Sequence, residues 1–381
     1  MPSSLKSILC CFRPTASAEG ETSRATRHGD ESAGSSPRAS GMLAGLAPRH
    51  VLSDGECQLG GYLLDRQITG RPVEGQDFDR LIRAHETVME TRQALAYGRG
   101  NVTADIDDSN GQSTVRAEAG RRARGQIPRD YDLGVSVAAS SLAAQAGNCG
   151  EHANVAAFLH AAKLQEGEEV CVVGRADHGW AELRGEHLGR EHHVVMDSWG
   201  KGPAVFADDG AFSRNEHEVE VDRRYDRTTG AHAHAQMRDL QQRHGRGLQT
   251  EVRRQMDELG PDYRYPDDGF APGRRLWPSK PVVSEQFAQA AVDRMIEEPN
   301  SAYFAPPPGS RAPEWASPVP THERWMAPLR QEIHATETAR TLGAQGLREA
   351  TQAATRIADV ALDLRGYPLP SHPAQFAPED Y

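Results

Sequence analysis

The chain has 381 residues, 38% of them hydrophobic but only 6% aromatic, too little apolar surface to pack its whole length into one core. A formal net charge of -11, with a pI of about 5.8, excludes a general nucleic-acid binder, which needs clustered basic charge. The five cysteines are few and unevenly spaced, which excludes a disulfide scaffold and points to a reducing compartment. No apolar run approaches the ~20 residues of a membrane-spanning helix.

Residues 1–50 are rich in Ser, Ala, Gly, Thr and Arg without periodicity, a composition that predicts disorder. Within them LKSILCCFRP sets Cys10 and Cys11 among Leu, Ile and Phe with Lys6 and Arg13 nearby, the setting of S-acylation. One acyl chain binds a membrane only marginally, so two adjacent sites would matter. Pro2 excludes N-myristoylation. Residues 77–97 place Phe78, Leu81, Ile82, His85, Val88, Met89 and Leu95 near one helical face, stopped by Gly98. GNVTADIDDSNGQS is expected to be a loop, and its Asp105, Asp107, Asp108 and Asn110 lack the spacing and closing Glu of a calcium site. Arg116, Arg121, Arg122 and Arg124 form a basic cluster in an acidic chain, either a solvated helix face or a contact to an acidic partner or phosphorylated small molecule.

Residues 131–164 predict two short helices that break at Gly147-Asn148. EVCVVG at 169–174 predicts a buried strand, Gly179–Arg184 the next and His192–Met196 the third, a spacing suited to an antiparallel sheet. Residues 234–259 and 284–298 have helical character. Prolines multiply from Tyr263 to Pro320 and predict coil, helical character returns at 322–363, and the tail after Gly366 is Pro-rich.

The chemistry-bearing stretch runs from Gln145 to Gly200. Asn148 suits an N-cap, which puts Cys149 in the first turn of a helix, where the dipole and free amides favour the thiolate. His178 and Asp197 fall on two predicted strands: a histidine can take the thiol proton and a carboxylate can orient that histidine. His152, on the same helix as Cys149, and His193, sharing a strand face with Asp197, are rival bases. The backbone N–H of Cys149 and the side chain of Gln145 or Asn148 are candidate oxyanion donors, Gln145 preferred. Trp180 and Trp199 either wall the cleft or fill core. Cys171 is expected in the core, and Cys57 has no assigned role. His232 and His234 do not complete a metal-ligand set, so neither metal nor other cofactor is expected.

GNCGEHA, DHGWAE and VMDSWG, in that order, also carry a resemblance. His178-Gly-Trp180-Ala-Glu182 resembles the H-x-W-x-E pattern of the transglutaminase-like cysteine enzymes, in which a helix-borne Cys precedes a strand-borne His and an Asp follows on the next strand. More narrowly, the three segments resemble the HopX/AvrPphE (XopE-type) family of type III effectors from plant pathogens. Over the middle half of the chain, the resemblance implies an α+β transglutaminase-like (papain-like) core, with helices packed on an antiparallel sheet and a helical C-terminal extension. It implies a Cys149-His178-Asp197 triad supported by Trp180 and Glu182, and delivery by a type III apparatus or chaperone into a plant cell, to its plasma membrane or cytoplasm, with host proteins as substrates. Pro2 departs from members that use myristoylation. Proteolysis is the first expectation; transglutamination, glutamine deamidation and non-catalytic binding are the alternatives. The expected layout is a leader at 1–50, a helical target- or cofactor-contacting segment at 51–130, a catalytic core at 131–262, Pro-rich coil at 263–320, C-terminal helices at 321–365 and a tail at 366–381. No nucleic-acid partner is expected.

Overall fold

Ser53 opens the first helix by reciprocal capping: its Oγ accepts the Glu56 N–H at 3.2 Å and its own N–H donates to Glu56 Oε2 at 2.7 Å. The computed structural model describes residues 51–266, 275–297 and 320–366; the leader with Cys10 and Cys11, and the tail from 367, lie outside the described residues. The helices are α1 (Asp54–Ile68), α2 (Gly75–Ala94), α3 (Thr103–Asp108), α4 (Gln112–Arg124), α5 (Leu133–Ala144), α6 (Cys149–Ala161), α7 (Arg227–Leu259), α8 (Glu285–Glu297), α9 (Pro320–Thr341) and α10 (Leu347–Leu364). The strands are β1 (Glu168–Arg175), β2 (His178–Gly185), β3 (Val194–Met196), β4 (Val205–Phe206) and β5 (Glu220–Tyr225). They form one open sheet in the order β4-β3-β2-β1-β5, antiparallel at every pairing. The fold is α+β, as expected.

The core sits where α6 lies on β1 and β2, flanked by α2 and α5. From Glu151 to Ala161 every residue of α6 is buried, so it is a central helix without a polar face. The hairpin β1–β2 pairs Arg175 with His178 across the two-residue turn Ala176-Asp177. The C-terminal helices form a second apolar cluster on α1: Cys57, Leu64 and Ile68 meet Ala335, Ala339, Ala353, Ala354, Ile357 and Ala361. Gly60 permits that approach, since a Cβ there would lie 2.7 Å from Ile357. Cys57, which the sequence left unexplained, is a buried member of this cluster.

Several expectations are corrected. Asp105, Asp107 and Asp108 belong to helix α3 rather than a loop, because the Asp105 carboxylate binds the Arg99 side chain and its backbone N–H at 2.7 Å and so fixes the chain just ahead of the helix. The helix expected at 284–298 is α8, which lies within the proline-rich stretch otherwise expected as coil. α7 begins at Arg227, seven residues early, under an Asp226–Thr229 capping box. Strands β4 and β5 were not foreseen. β4 has two residues, and β5 is the charged stretch EVDRRY, held by pairing with β1 through a register shift at Val172/Val173. β3 begins at Val194, so His192 and His193 precede it and strand alternation does not apply to them.

Candidate active site

Cys149 is the first residue of α6 and partly exposed, whereas Cys57 and Cys171 are buried. Its backbone N–H, at the first helical position, has no intrahelical acceptor. Glu151 anchors this end of the helix: its Oε2 accepts the Asn148 N–H at 2.9 Å, and both its oxygens take the Arg121 guanidinium, at 3.0 and 2.9 Å. Burial alone would raise the Glu151 pKa, yet Arg121 and the Asn148 N–H bring it down to about 2. The stability this contributes is present above the ordinary glutamate range and lost as pH falls toward about 2. Glu151→Ala should therefore cost about 2–4 kcal/mol in chemical denaturation at neutral pH, since it strands a largely buried arginine, and the difference from the parent protein should shrink as pH falls toward 2.

His178 opens β2 and faces Asp197, one residue beyond β3, with Nε2 2.7 Å from Oδ2. Both are buried, at 5% and 4% exposure. Because Asp197 takes Nε2, Nδ1 is the nitrogen left for Cys149. Burial disfavours an imidazolium, but the Asp197 charge and hydrogen bond, followed by contact with Cys149, outweigh it and lift the His178 pKa to about 10. Asp197 is held ionised against its own burial by His178, by the Gly200 N–H and by Arg92. Its second oxygen accepts the N–H groups of Trp199 and Gly200 at 3.1 and 2.9 Å. The Cys149 thiol donates to the carbonyl of Asp177, the residue before His178, at 3.9 Å. Trp199, Phe212 and Trp180 surround the imidazole, with ring centroids at 4.8, 4.2 and 5.8 Å. Trp180 and Trp199 are thus both buried core and the wall of the histidine.

The turn Asp197–Gly202 is oriented from behind. Arg92 on α2 donates to the carbonyls of Ser198, Gly200 and Gly202, at 3.2, 2.7 and 2.6 Å, and Arg99 donates to the Trp199 carbonyl at 2.7 Å. With the carbonyls drawn back, the N–H groups point to Asp197. Phe212, Glu151, Arg92 and Arg99 were missed in the sequence. Only Glu151 left a local signal there, as the third residue after the Asn148 cap; Phe212, Arg92 and Arg99 left none.

The remaining candidates separate. His152 bonds Ser198 Oγ through Nδ1 at 3.1 Å, and burial holds its pKa near about 3, so it is a neutral brace of the turn. His193 pairs with Glu182 at 3.3 Å, and Glu182 also accepts from Arg184 and Trp180, so both residues serve the sheet. Gln145 is nearly buried in the left-handed region (φ 58) just ahead of Cys149, with only its backbone hydrogen-bonded. Asn148 Nδ2 lies 3.3 Å from the Tyr265 hydroxyl, and its Oδ1 is buried without a partner. Of the arginine cluster, Arg121 braces α6 and Arg116 lies over the Tyr97 ring at 3.6 Å; Arg122 pairs with Glu118 and is exposed. His232 contacts Gln236, and His234 bonds the Phe158 carbonyl at 3.0 Å. Among the described residues no three of His, Cys, Asp and Glu gather as metal ligands, and no helix is long and apolar enough to cross a membrane.

Protein-family models, curated proteins and solved structures, compared with this chain, yield no match.

Proposed function

We propose that this chain is a cysteine-nucleophile acyl-transfer enzyme that attacks an amide in another protein, with proteolysis as its reaction. The observation that carries the reading is the 2.7 Å His178–Asp197 bond, set against a cysteine at a helix N-terminus. In this reading the imidazolium that Asp197 favours already holds the thiol proton on His178 Nδ1, and Cys149 Sγ bonds to the amide carbon. The carbonyl oxygen gains negative charge, met by the Cys149 N–H and the side chain of Gln145. The C–N bond then breaks as His178 returns the proton to the leaving amine. Water, deprotonated by the same imidazole, hydrolyses the thioester. A backbone amide gives proteolysis; a glutamine side chain gives deamidation, or transamidation where an amine replaces water. A helix-borne Cys packed on an antiparallel sheet bearing His, with Asp at the end of the next strand, is consistent with a transglutaminase-like core. The resemblance of the three motifs to the HopX/AvrPphE effectors supports host plant proteins as substrates after type III delivery, with the leader cysteines as a route to the plasma membrane.

The test incubates the protein and its Cys149→Ala variant with plant extract and compares the products by mass spectrometry. New protein termini that require Cys149 are expected. Glutamine-to-glutamate or cross-linked products in their place would reassign the reaction. No Cys149-dependent product of any kind would leave a binding protein.

A further inference from the structure

Against the turn that follows Asp197 lies an open cavity of about 300 Å³, whose lining includes neither Cys149 nor His178. Its lining includes Arg92, Arg99, Asp105, His152, Ser198 and Lys201. Two features of this lining point to a ligand. His152 is 3% exposed, and its Nε2 is buried without a hydrogen-bond partner, although Nδ1 is engaged by Ser198. Leaving such a group unpaired in the interior is unfavourable. Arg92 directs its hydrogen bonds to neutral acceptors, the carbonyls of Ser198, Gly200 and Gly202 and Gln58 Oε1, with no carboxylate among them. The other charges are matched: Arg99 by Asp105, and Lys201 by Asp363 at 2.8 Å, while Asp197 is held by His178.

From these observations we infer that the cavity is a binding site for a small oxyanion, a phosphate or carboxylate group. The ligand accepts a hydrogen bond from His152 Nε2–H and lies in the field of Arg92 and Lys201. The charge of the lining favours an anion over a cation. In the inferred complex the Ser198 hydroxyl donates to Nδ1, so that the neutral imidazole offers Nε2–H to the ligand. The excess charge is positive, and the more than half-exposed Lys201 ammonium keeps N–H groups beyond those given to Asp363.

The experiment is isothermal titration of the full chain with inorganic phosphate, and separately with acetate, at constant ionic strength. Saturable one-site binding is expected, at least tenfold weaker in Lys201→Ala and in His152→Leu and unchanged in the distant Arg253→Ala. The tighter of the two anions identifies the headgroup. Lys201 is exposed, so Lys201→Ala decides the matter even where His152→Leu fails to fold. Absence of saturation, or identical curves for Lys201→Ala and the parent chain, would overturn the site. Because binding is read directly, the result does not depend on whether Cys149 is catalytic.

Discussion

Cys149→Ala should lower turnover by on the order of 10⁶-fold, the scale seen when one member of a triad that acts as a unit is removed. No other described cysteine can replace it. Cys57 lies in the α1–α10 cluster and Cys171 inside β1, both buried. Burial raises both thiols, Cys171 to about 12, away from the reactive thiolate. The fold should survive, because Cys149 is partly exposed and its helix is anchored by Glu151 and Arg121, which the substitution leaves alone. The melting temperature should move by no more than about 3 °C, under ~1 kcal/mol for a chain of this size. Iodoacetamide should label Cys149 before Cys57 and Cys171, followed by peptide mass mapping. First labelling at either buried cysteine, or a fully active alanine variant, would remove Cys149 from the role.

Asp197→Asn should cost about 10⁴-fold in turnover, the effect of setting a triad histidine in the wrong tautomer. Asp197 accepts from Nε2, so in the neutral ring the proton sits on Nε2 and Nδ1 is bare toward Cys149. An asparagine amide can instead donate to Nε2, which moves the ring proton to Nδ1 and blocks transfer from sulfur. The substitution also reverses a pH dependence. With Asp197 present the folded-state pKa of His178 is about 10, above its ordinary value of 6.5. The resulting stability is fully present below about 6.5 and lost as pH rises through about 10. Without the carboxylate, burial is the dominant influence left and favours the neutral ring, so the alkaline loss should vanish and an acidic one replace it. Denaturation curves between pH 5 and 10.5, flanking the values 6.5 and 10, would show the change. Identical pH profiles for the two proteins would mean that Asp197 does not hold the histidine charged. His178→Ala should match the loss of turnover, whereas His193→Ala should not, because His193 is engaged by Glu182.

Short-range physics made much of this arrangement legible in the sequence. The cap at Asn148, the break at Gly147 and the apolar run beyond Cys149 place a helix start by local rules, and the helix begins there. The apolar, β-rich run EVCVVG and the segment Gly179–Arg184 predict β1 and β2 to within one residue of their ends. Less could be said where the backbone departs from what its residues prefer. Ala176 (φ 51) turns the hairpin that delivers His178, and Gln145 (φ 58) precedes Cys149. Neither residue type announces a left-handed conformation, and both sit beside the candidate site, where the surrounding packing holds the strain.

What the sequence determined by itself is therefore the order and local setting of cysteine, histidine and aspartate, because capping, period and turn signals act over a few residues. The tertiary structure decided which histidine meets which carboxylate. Asp197 lies 19 residues from His178 along the chain, Arg92 lies 106 from Ser198, and Arg121 lies 30 from Glu151. Such pairs form only when sheet and helices close on one another, since a charge leaves water at tolerable cost only where packing has already brought its partner. The same closure turned His152 from a rival base into a brace. A residue three positions from Cys149 on a helix could belong to either face of the site, and only the position of Ser198 settled which.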